Sequence, residues 1–359
     1  MKVGIAAAGT GGHVYPALAV AEELTERGVE RGDIVFFGGD RIEATVVPEA
    51  GYPFVGVDIH GLRREISMDN VALFGKTLRA RRRIASEVVG RQLKVMVVFG
   101  GYVAGPAALA ASKAHIPLIV HEANAVPGLA NRMVARNASK IFVAFAPATQ
   151  RFPEAHVIGS PLRRSLSTFD RSAARAPARA AYGIAGDETV LGVVGGSQGA
   201  QFLNEVAGNL AADPTRNFSI VHLTGSVHHE AIAAQAANHE RWITVPYEEN
   251  MVDLYAASDL VLSRGGAMTV SELQATRTPA VIVPLPAGRG YQALNASDLV
   301  ASGGAVVVEQ DSGEAVARRV MDLIADREAL ARMAAPRTGT DHRAAAAIMA
   351  DAIMEYADA

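Results

Sequence analysis

The chain has 359 residues, half of them hydrophobic and a fifth charged, and its 34 Lys and Arg against 37 Asp and Glu give a formal net charge of −3. The length exceeds what one ordinary core holds and suggests two domains. The charge balance argues against a general nucleic-acid binder, and the absence of cysteine excludes disulfides and thiolate metal sites.

In chain order, Val3 to Ala8 is a short apolar run that reads as a buried strand. Lys2 ahead of it gives a superficial likeness to a signal peptide, but Gly9, Gly11, Gly12 and His13 break the run, and a strand followed by a glycine turn is the better reading. A helix is expected from about Pro16 to Arg27, with Pro16 just inside its start. Further strands are expected at Ile34–Phe37, Val95–Phe99, Leu118–His121 and Lys140–Phe145, with a second glycine turn over Gly100–Gly105 and an Ala-rich helix after it. Continuous apolar strands alternating with helices predict a parallel sheet covered on both faces. No stretch of ~20 apolar residues is free of Gly and charge, so no transmembrane helix is expected and any membrane contact is peripheral.

The pattern then restarts. Residues 170–188 are rich in Ala, Arg and Asp and have no buried-strand character. Val190–Val194 is a strand, followed by a third glycine turn, Gly195–Gly199, and a helix. Strands are expected at Ser219–Leu223, Trp242–Val245, Leu260–Ser263, Ala280–Pro284 and Ala305–Val308, and a closing helix over Arg343–Tyr356. This gives two α/β units joined near Pro161: residues 1–160, residues 161–340, and a last helix in 341–359 returning to the first unit. In open parallel sheets ligands sit beyond the carboxyl ends of the strands, so the three glycine turns are expected to border one cleft.

Four segments carry candidate chemistry. Gly9-Thr10-Gly11-Gly12-His13 lies between a strand and a helix, where glycines admit a ligand to the backbone and the helix start offers N–H groups to an anion. It is not the dinucleotide fingerprint, because Val14 stands where the third Gly belongs, and this disfavours a dehydrogenase. A plain tight turn fits the same residues. His13 is the titratable side chain there and can take a proton at cellular pH, although a capping or hydrogen-bonding role is the better reading of the residue standing alone. Gly195-Gly196-Ser197-Gln198-Gly199 is a second anion-ready turn, with Ser197 adding a hydroxyl donor for a diphosphate. In Ser263 to Glu272, Glu272 is placed to accept ribose hydroxyls or to balance the helix dipole. His121-Glu122-Ala123-Asn124 clusters an imidazole, a carboxylate and an amide, but no third ligand accompanies them and the chain has no Asp-x-Asp pair, so neither a metal nor another cofactor is expected.

A separate signal lies in residues 61–83. Val71, Leu73, Phe74 and Leu78 are apolar beside basic Arg63, Arg64, Lys76, Arg79, Arg81, Arg82 and Arg83. That pattern suits an anionic membrane surface, and it also suits an ordinary amphipathic helix with a solvated charged end.

Taken together, GTGGHVYPALAVAEEL, FGGYVAGPAALAA, HEANAVPGLANR, GGSQGA and SRGGAMTVSELQA resemble, in order and spacing over nearly the whole chain, the MurG-type glycosyltransferases. The resemblance implies two Rossmann-like domains facing a central cleft, the GT-B architecture. It implies inverting, metal-free transfer of N-acetylglucosamine from UDP-N-acetylglucosamine to undecaprenyl-diphospho-N-acetylmuramoyl-pentapeptide, at the cytoplasmic face of the cell membrane. By matching motif positions, Thr10, Gly11, Gly12, Asn124, Arg163 and Ser197 would touch the donor or its diphosphate. Ala267, Met268, Thr269, Val270, Ser271 and Glu272 would hold the uridine and sugar side, and Gln292 and Asn295 the sugar hydroxyls. His13 would be the general base, with Tyr102, His121 and Glu122 near the acceptor. Tyr291 stands where the family often has a first glutamine, and Glu248 where an apolar residue often meets the uracil. The rival readings are a UDP-N-acetylglucosamine epimerase of similar fold and a non-enzymatic nucleotide-sugar binding protein.

Overall fold

The computed structural model describes residues 1–59, 68–196, 199–248, 250–286, 290–336 and 339–358, with the side chains of 68–74 left out of the description. The chain forms two compact units, Met1–Arg164 with Thr340–Ala359, and Ser165–Gly339.

In the first unit β1 (Val3–Ala7), β2 (Ile34–Gly38), β3 (Phe54–Gly56), β4 (Val95–Gly100), β5 (Leu118–Glu122), β6 (Lys140–Val143) and β7 (His156–Val157) form one sheet in the order β3-β2-β1-β4-β5-β6-β7, all parallel. The helices are α1 (Gly11–Glu26), α2 (Glu43–Glu49), α3 (Met68–Arg91), α4 (Ala104–Ala114) and α5 (Leu129–Val134), and α6 (Arg164–Ser167) spans the crossing to the second unit. Side chains alternate along each strand. Val3, Ile5, Ile34, Phe36, Val95 and Val97 join α1 residues such as Val14, Leu18 and Leu24 in one core. Ala6, Val35, Phe37, Met96 and Val98 join Ile84, Val88, Ala107 and Ala111 in another. A sheet buried on both faces needs apolar residues at consecutive positions, which is why these strands read as unbroken apolar runs.

The second unit contains α7 (Arg171–Ala181), β8 (Val190–Val194), α8 (Gln201–Ala212), β9 (Ser219–Leu223), α9 (His229–Ala236), β10 (Trp242–Val245), α10 (Met251–Ala257), β11 (Leu260–Ser263), α11 (Ala267–Thr276), β12 (Ala280–Ile282), α12 (Tyr291–Asn295), α13 (Ser297–Ala301), β13 (Ala305–Val307), α14 (Gly313–Ala325) and α15 (Arg327–Ala334). Its parallel sheet runs β10-β9-β8-β11-β12-β13. The chain then returns, and α16 (Ala345–Asp358) packs on α1 through Met349 and Ile353.

Both sheets change direction beside their first strand, between β1 and β4 and between β8 and β11. Those crevices are where doubly wound sheets bind ligands. The three glycine turns singled out in the sequence follow β1, β4 and β8, and Gly265 and Gly266 follow β11.

Two expectations need correction. The first helix begins at Gly11 rather than near Pro16, because Thr10 is extended (φ −141°, ψ 158°) and serves as its N-cap. Gly11, Gly12 and His13 are therefore its first turn. The strands expected to reach Phe145, Pro284 and Val308 end at Val143, Ile282 and Val307.

Candidate active site

In the first unit the crevice holds His13. Its Nδ1 lies 3.0 Å from the carbonyl oxygen of Ala8. A carbonyl only accepts, so Nδ1 carries a hydrogen, and in the neutral ring the lone pair is on Nε2. The ring lies over Gly100 at the end of β4, where a Cβ would come within 3.0 Å of both Cδ2 and Nε2, at a φ of +116° that side chains rarely adopt. No side chain caps α1, and its first turn holds no acidic residue.

Glu43 sits beneath this turn, fully buried. Its Oε2 accepts from the Gly9 N–H at 3.2 Å, and its Oε1 accepts from the Gly39 N–H at 3.0 Å and the Tyr102 hydroxyl at 2.8 Å. Burial, and then the hydrogen bond to Glu43, raise the Tyr102 hydroxyl above the ordinary tyrosine range. Tyr102 thus stands at the second glycine turn, as the sequence places it, with its hydroxyl turned to Glu43.

His121 and Glu122, expected near the acceptor, are buried in β5. Glu122 accepts from the Asn124 N–H (2.8 Å), the Asn124 side chain (3.3 Å), the Gly128 N–H (3.0 Å) and Asn131 Nδ2 (3.0 Å). It organises the loop ahead of α5. The Nε2 of His121 donates to the Gly159 carbonyl at 3.0 Å, and its Nδ1 has no partner. Burial pushes this imidazole down to about 4, so it is neutral near pH 7. Arg163 belongs to the first unit, with its guanidinium 5.1 Å from the Tyr15 ring centroid.

The second unit's crevice is built differently. Ser197, expected on the diphosphate, lies outside the described residues. The backbone on either side of it runs into α8, whose N-cap is Ala200, with no side-chain cap. The N-cap of α11 is Gly266, also without one. Asp170, Ser312 and Asp326, by contrast, cap α7, α14 and α15 with their own side chains. The open first turns of α8 and α11 leave N–H groups for a ligand.

Arg264 follows β11 and is 9% exposed. Its Nη1 donates to the carbonyls of Val283 (3.0 Å) and Pro284 (3.4 Å), its guanidinium lies 5.7 Å from the Phe202 ring centroid, and its Nε has no partner. Burial lowers its proton affinity. With Gly195, Gly199, Phe202 and Gln310 it lines a cleft of about 400 Å³. The sequence reading did not single out Arg264 or Glu43. A basic residue closing a strand ahead of Gly-Gly, and an acidic residue four after the Gly39 turn, are the signals it passed over.

Within Ala267–Glu272 the helix sorts the predicted residues by face. Ala267, Val270 and Ser271 are buried, whereas Met268, Thr269 and Glu272 are partly exposed. Glu272 Oε2 accepts from the buried Tyr255 hydroxyl at 2.7 Å, which fixes the carboxylate on α11. Asn295 is fully buried and donates to the Gly265 carbonyl at 3.0 Å, and Gln292 accepts from the Leu285 N–H at 2.9 Å. These two amides brace the glycine turn and the loop after β12. Glu248 accepts from the Tyr182 hydroxyl at 2.6 Å and from the Asn250 N–H at 3.0 Å. Among the described residues, no group of three or more His, Asp or Glu is gathered as a metal site would require.

Residues 3–143 match the glycosyltransferase family 28 N-terminal domain and residues 190–349 the glycosyltransferase family 28 C-terminal domain. This makes the class of protein a glycosyltransferase with two Rossmann-like domains. The chain is 39% identical, over all of its length and 99% of the relative's, to a UDP-N-acetylglucosamine–N-acetylmuramyl-(pentapeptide) pyrophosphoryl-undecaprenol N-acetylglucosamine transferase of Acidothermus cellulolyticus. The crystal structure of Acinetobacter baumannii MurG superposes with a TM-score of 0.75 at 29% identity, covering 99% of this chain and all of that one. The chain therefore belongs to the MurG family of glycosyltransferases. A UDP-N-acetylglucosamine 2-epimerase from Neisseria meningitidis shares the fold alone, with a TM-score of 0.69 at 13% identity over 99% of this chain and all of that one.

Proposed function

We propose that this chain transfers N-acetylglucosamine from UDP-N-acetylglucosamine to undecaprenyl-diphospho-N-acetylmuramoyl-pentapeptide, with the second unit holding the donor and His13 of the first activating the acceptor. The observation that carries the chemistry is the contact of His13 Nδ1 with the Ala8 carbonyl. With hydrogen on Nδ1, the Nε2 lone pair is available to take the proton of an alcohol.

The acceptor hydroxyl attacks the anomeric carbon from the face opposite the diphosphate. A carbon–oxygen bond to the acceptor forms, the bond to UDP breaks, and the hydroxyl proton passes to Nε2. The departing diphosphate gains negative charge, which the open first turns of α8 and α11, Ser197 and Arg264 are suited to meet. Glu272, held by Tyr255, accepts the ribose hydroxyls. Glu122 and Asn124 act through the loop they order, His121 through its hydrogen bond to the Gly159 carbonyl, and Gln292 and Asn295 through the turns they brace.

The test is incubation with both substrates and detection of UDP and the lipid-linked disaccharide. His13→Ala is expected to lower kcat by about 10²–10⁴-fold while leaving the affinity for UDP unchanged. Near-normal turnover would remove His13 as the base.

The acceptor is lipid-linked, and the first unit is assigned the membrane side, peripheral and cytoplasmic. No helix among the described residues is long and apolar enough to cross a membrane. Arg63, Arg64 and the side chains of Val71, Leu73 and Phe74 lie outside the description, but Arg79, Arg82 and Arg83 of α3 are exposed. On the neighbouring helices Leu109, Leu129 and Met133 are exposed, the last two at 62% and 67%, beside exposed Lys113, Arg132 and Arg136. Apolar side chains rimmed by cations suit an anionic lipid surface. Replacing Arg81, Arg82 and Arg83 with Glu is expected to release the protein from anionic vesicles in a flotation assay. Undiminished binding would remove that cluster as the anchor.

A further inference from the structure

Glu43 and His13 meet on the same peptide group. The carbonyl of Ala8 accepts from His13 Nδ1 at 3.0 Å, and the N–H of Gly9, the other end of that peptide, donates to Glu43 Oε2 at 3.2 Å. A negative charge on the N–H side polarises the peptide and makes its carbonyl a better acceptor, because hydrogen bonds in series strengthen one another in a low-dielectric setting. The surroundings fix the carboxylate. It is fully buried, both its oxygens accept from backbone N–H groups, and Oε1 also accepts from Tyr102. Gly39 must be glycine for this to hold, since a Cβ there would lie 2.1 Å from the Tyr102 hydroxyl oxygen.

We propose that Glu43 is a positioning residue for the transfer reaction: acting through the Ala8–Gly9 peptide, it holds His13 in the Nδ1–H tautomer and stabilises the protonated ring that forms when Nε2 takes the acceptor's proton. The inference rests on His13 as the base. In a serine hydrolase triad a buried carboxylate orients the histidine by direct contact. Here one peptide bond stands between the two groups, and Tyr102 and the Gly39 N–H keep the carboxylate aimed at that peptide.

Other charged and titratable groups face this cluster. His121 of β5 is close enough for its proton affinity to be lowered by His13, and Glu122 reaches the region through Asn131, whose Nδ2 lies 3.4 Å from where a Gly100 Cβ would be. Asp40 and Arg41 face Tyr102 with opposite effects, and Arg163 lies over Tyr15 of α1. Glu22, Glu23 and Glu26 lie in the far half of α1, and Arg27 just beyond its end pairs with Glu23 and with Asp351 of α16. Of these groups, Glu43 is the one joined to the His13 ring through a single peptide.

The experiment is steady-state transfer by the full chain across pH, for wild type, Glu43→Gln, Glu43→Asp, His13→Ala and Glu43→Gln with His13→Ala. Glu43→Gln is expected to lower kcat about 10–100-fold, by analogy with the partners that orient metal-bound histidines, with the KM for the donor unchanged. Activity is lost on the acid side where the base becomes protonated. Removing the carboxylate charge disfavours that protonated form, so the acid limb of kcat/KM moves to lower pH. Glu43→Asp, which keeps the charge, recovers part of the rate, and in the His13→Ala background Glu43→Gln has no further effect. A kcat loss of equal size in that background, or an unshifted limb, overturns the proposal. If His13→Ala itself retains turnover, the base assignment has failed rather than the relay. Should the Glu43 variants misfold, ¹⁵N-histidine NMR of the wild-type chain decides independently: the relay requires the neutral His13 ring to carry hydrogen on Nδ1, and hydrogen on Nε2 overturns it.

Discussion

The two units share the order of six strands and place glycine turns at the equivalent crevice of each sheet, yet different buried charged side chains grip the backbone there. In the first unit buried carboxylates take up backbone N–H groups: Glu43 engages Gly9 and Gly39, and Glu122 engages Asn124 and Gly128. In the second unit donors take up backbone carbonyls: Arg264 engages Val283 and Pro284, and Asn295 engages Gly265. Among the described residues, no carboxylate accepts from an N–H of the turns after β8 and β11. On the proposed reading, the first crevice takes the acceptor's proton and the second holds the diphosphate. Fold alone sets the place, and a few buried side chains set the sign of the charge.

The His13 and Glu43 substitutions described above carry the largest expected effects and probe the first crevice. The next probes the second. Arg264→Met keeps an apolar stem over Phe202 and removes the charge. It is expected to weaken UDP binding about 10–100-fold, the loss of one or two charge-assisted hydrogen bonds, read by titration calorimetry. Arg264→Lys is not expected to restore it, because a lone ammonium cannot hold the Val283 and Pro284 carbonyls through one nitrogen and offer a second nitrogen to a phosphate. Unchanged affinity in Arg264→Met would break the contrast between the crevices.

A smaller effect concerns stability. Burial pushes His121 and His222 down to about 4 and His342 down to about 3. All three lie below the free value of about 6.5, so the unfolded chain takes up their protons first. Their contribution is full above about pH 6.5 and declines as pH falls, toward 4 for His121 and His222 and toward 3 for His342, by on the order of 3 to 5 kcal/mol each. A Tm that falls progressively across that window is the expected result, and a Tm flat from pH 7 to 4 would contradict neutral burial of these rings.

The elements that sequence reading found were those with dense apolar patterning, such as β1, β4, β8 and β11. It missed β3 and β7, which have three and two residues. Both are edge strands: β3 is apolar but too short to stand out, and His156 and Val157 of β7 are exposed, so no apolar run marks β7. The start of α1 was misplaced because Pro16 looked like a first-turn proline, whereas it is the sixth residue of the helix and follows two glycines of low helix propensity. His13 was legible because it stands inside a motif. Glu43 was not, since it acts on a residue 34 positions away and nothing local marks a carboxylate as buried. Asn295 and Glu122 fall between these cases. Their motifs identified them as part of the site, but only side-chain direction reveals that they grip backbone.

The central claim is that proton acceptance belongs to the first crevice and anion binding to the second. Measuring kcat and the Kd for UDP side by side in His13→Ala and Arg264→Met, at one pH and salt concentration, tests it most directly. The account predicts that His13→Ala loses turnover and keeps UDP affinity, and that Arg264→Met loses UDP affinity by the larger factor. A His13→Ala protein that loses UDP binding, or an Arg264→Met protein that binds UDP as tightly as wild type, would contradict it.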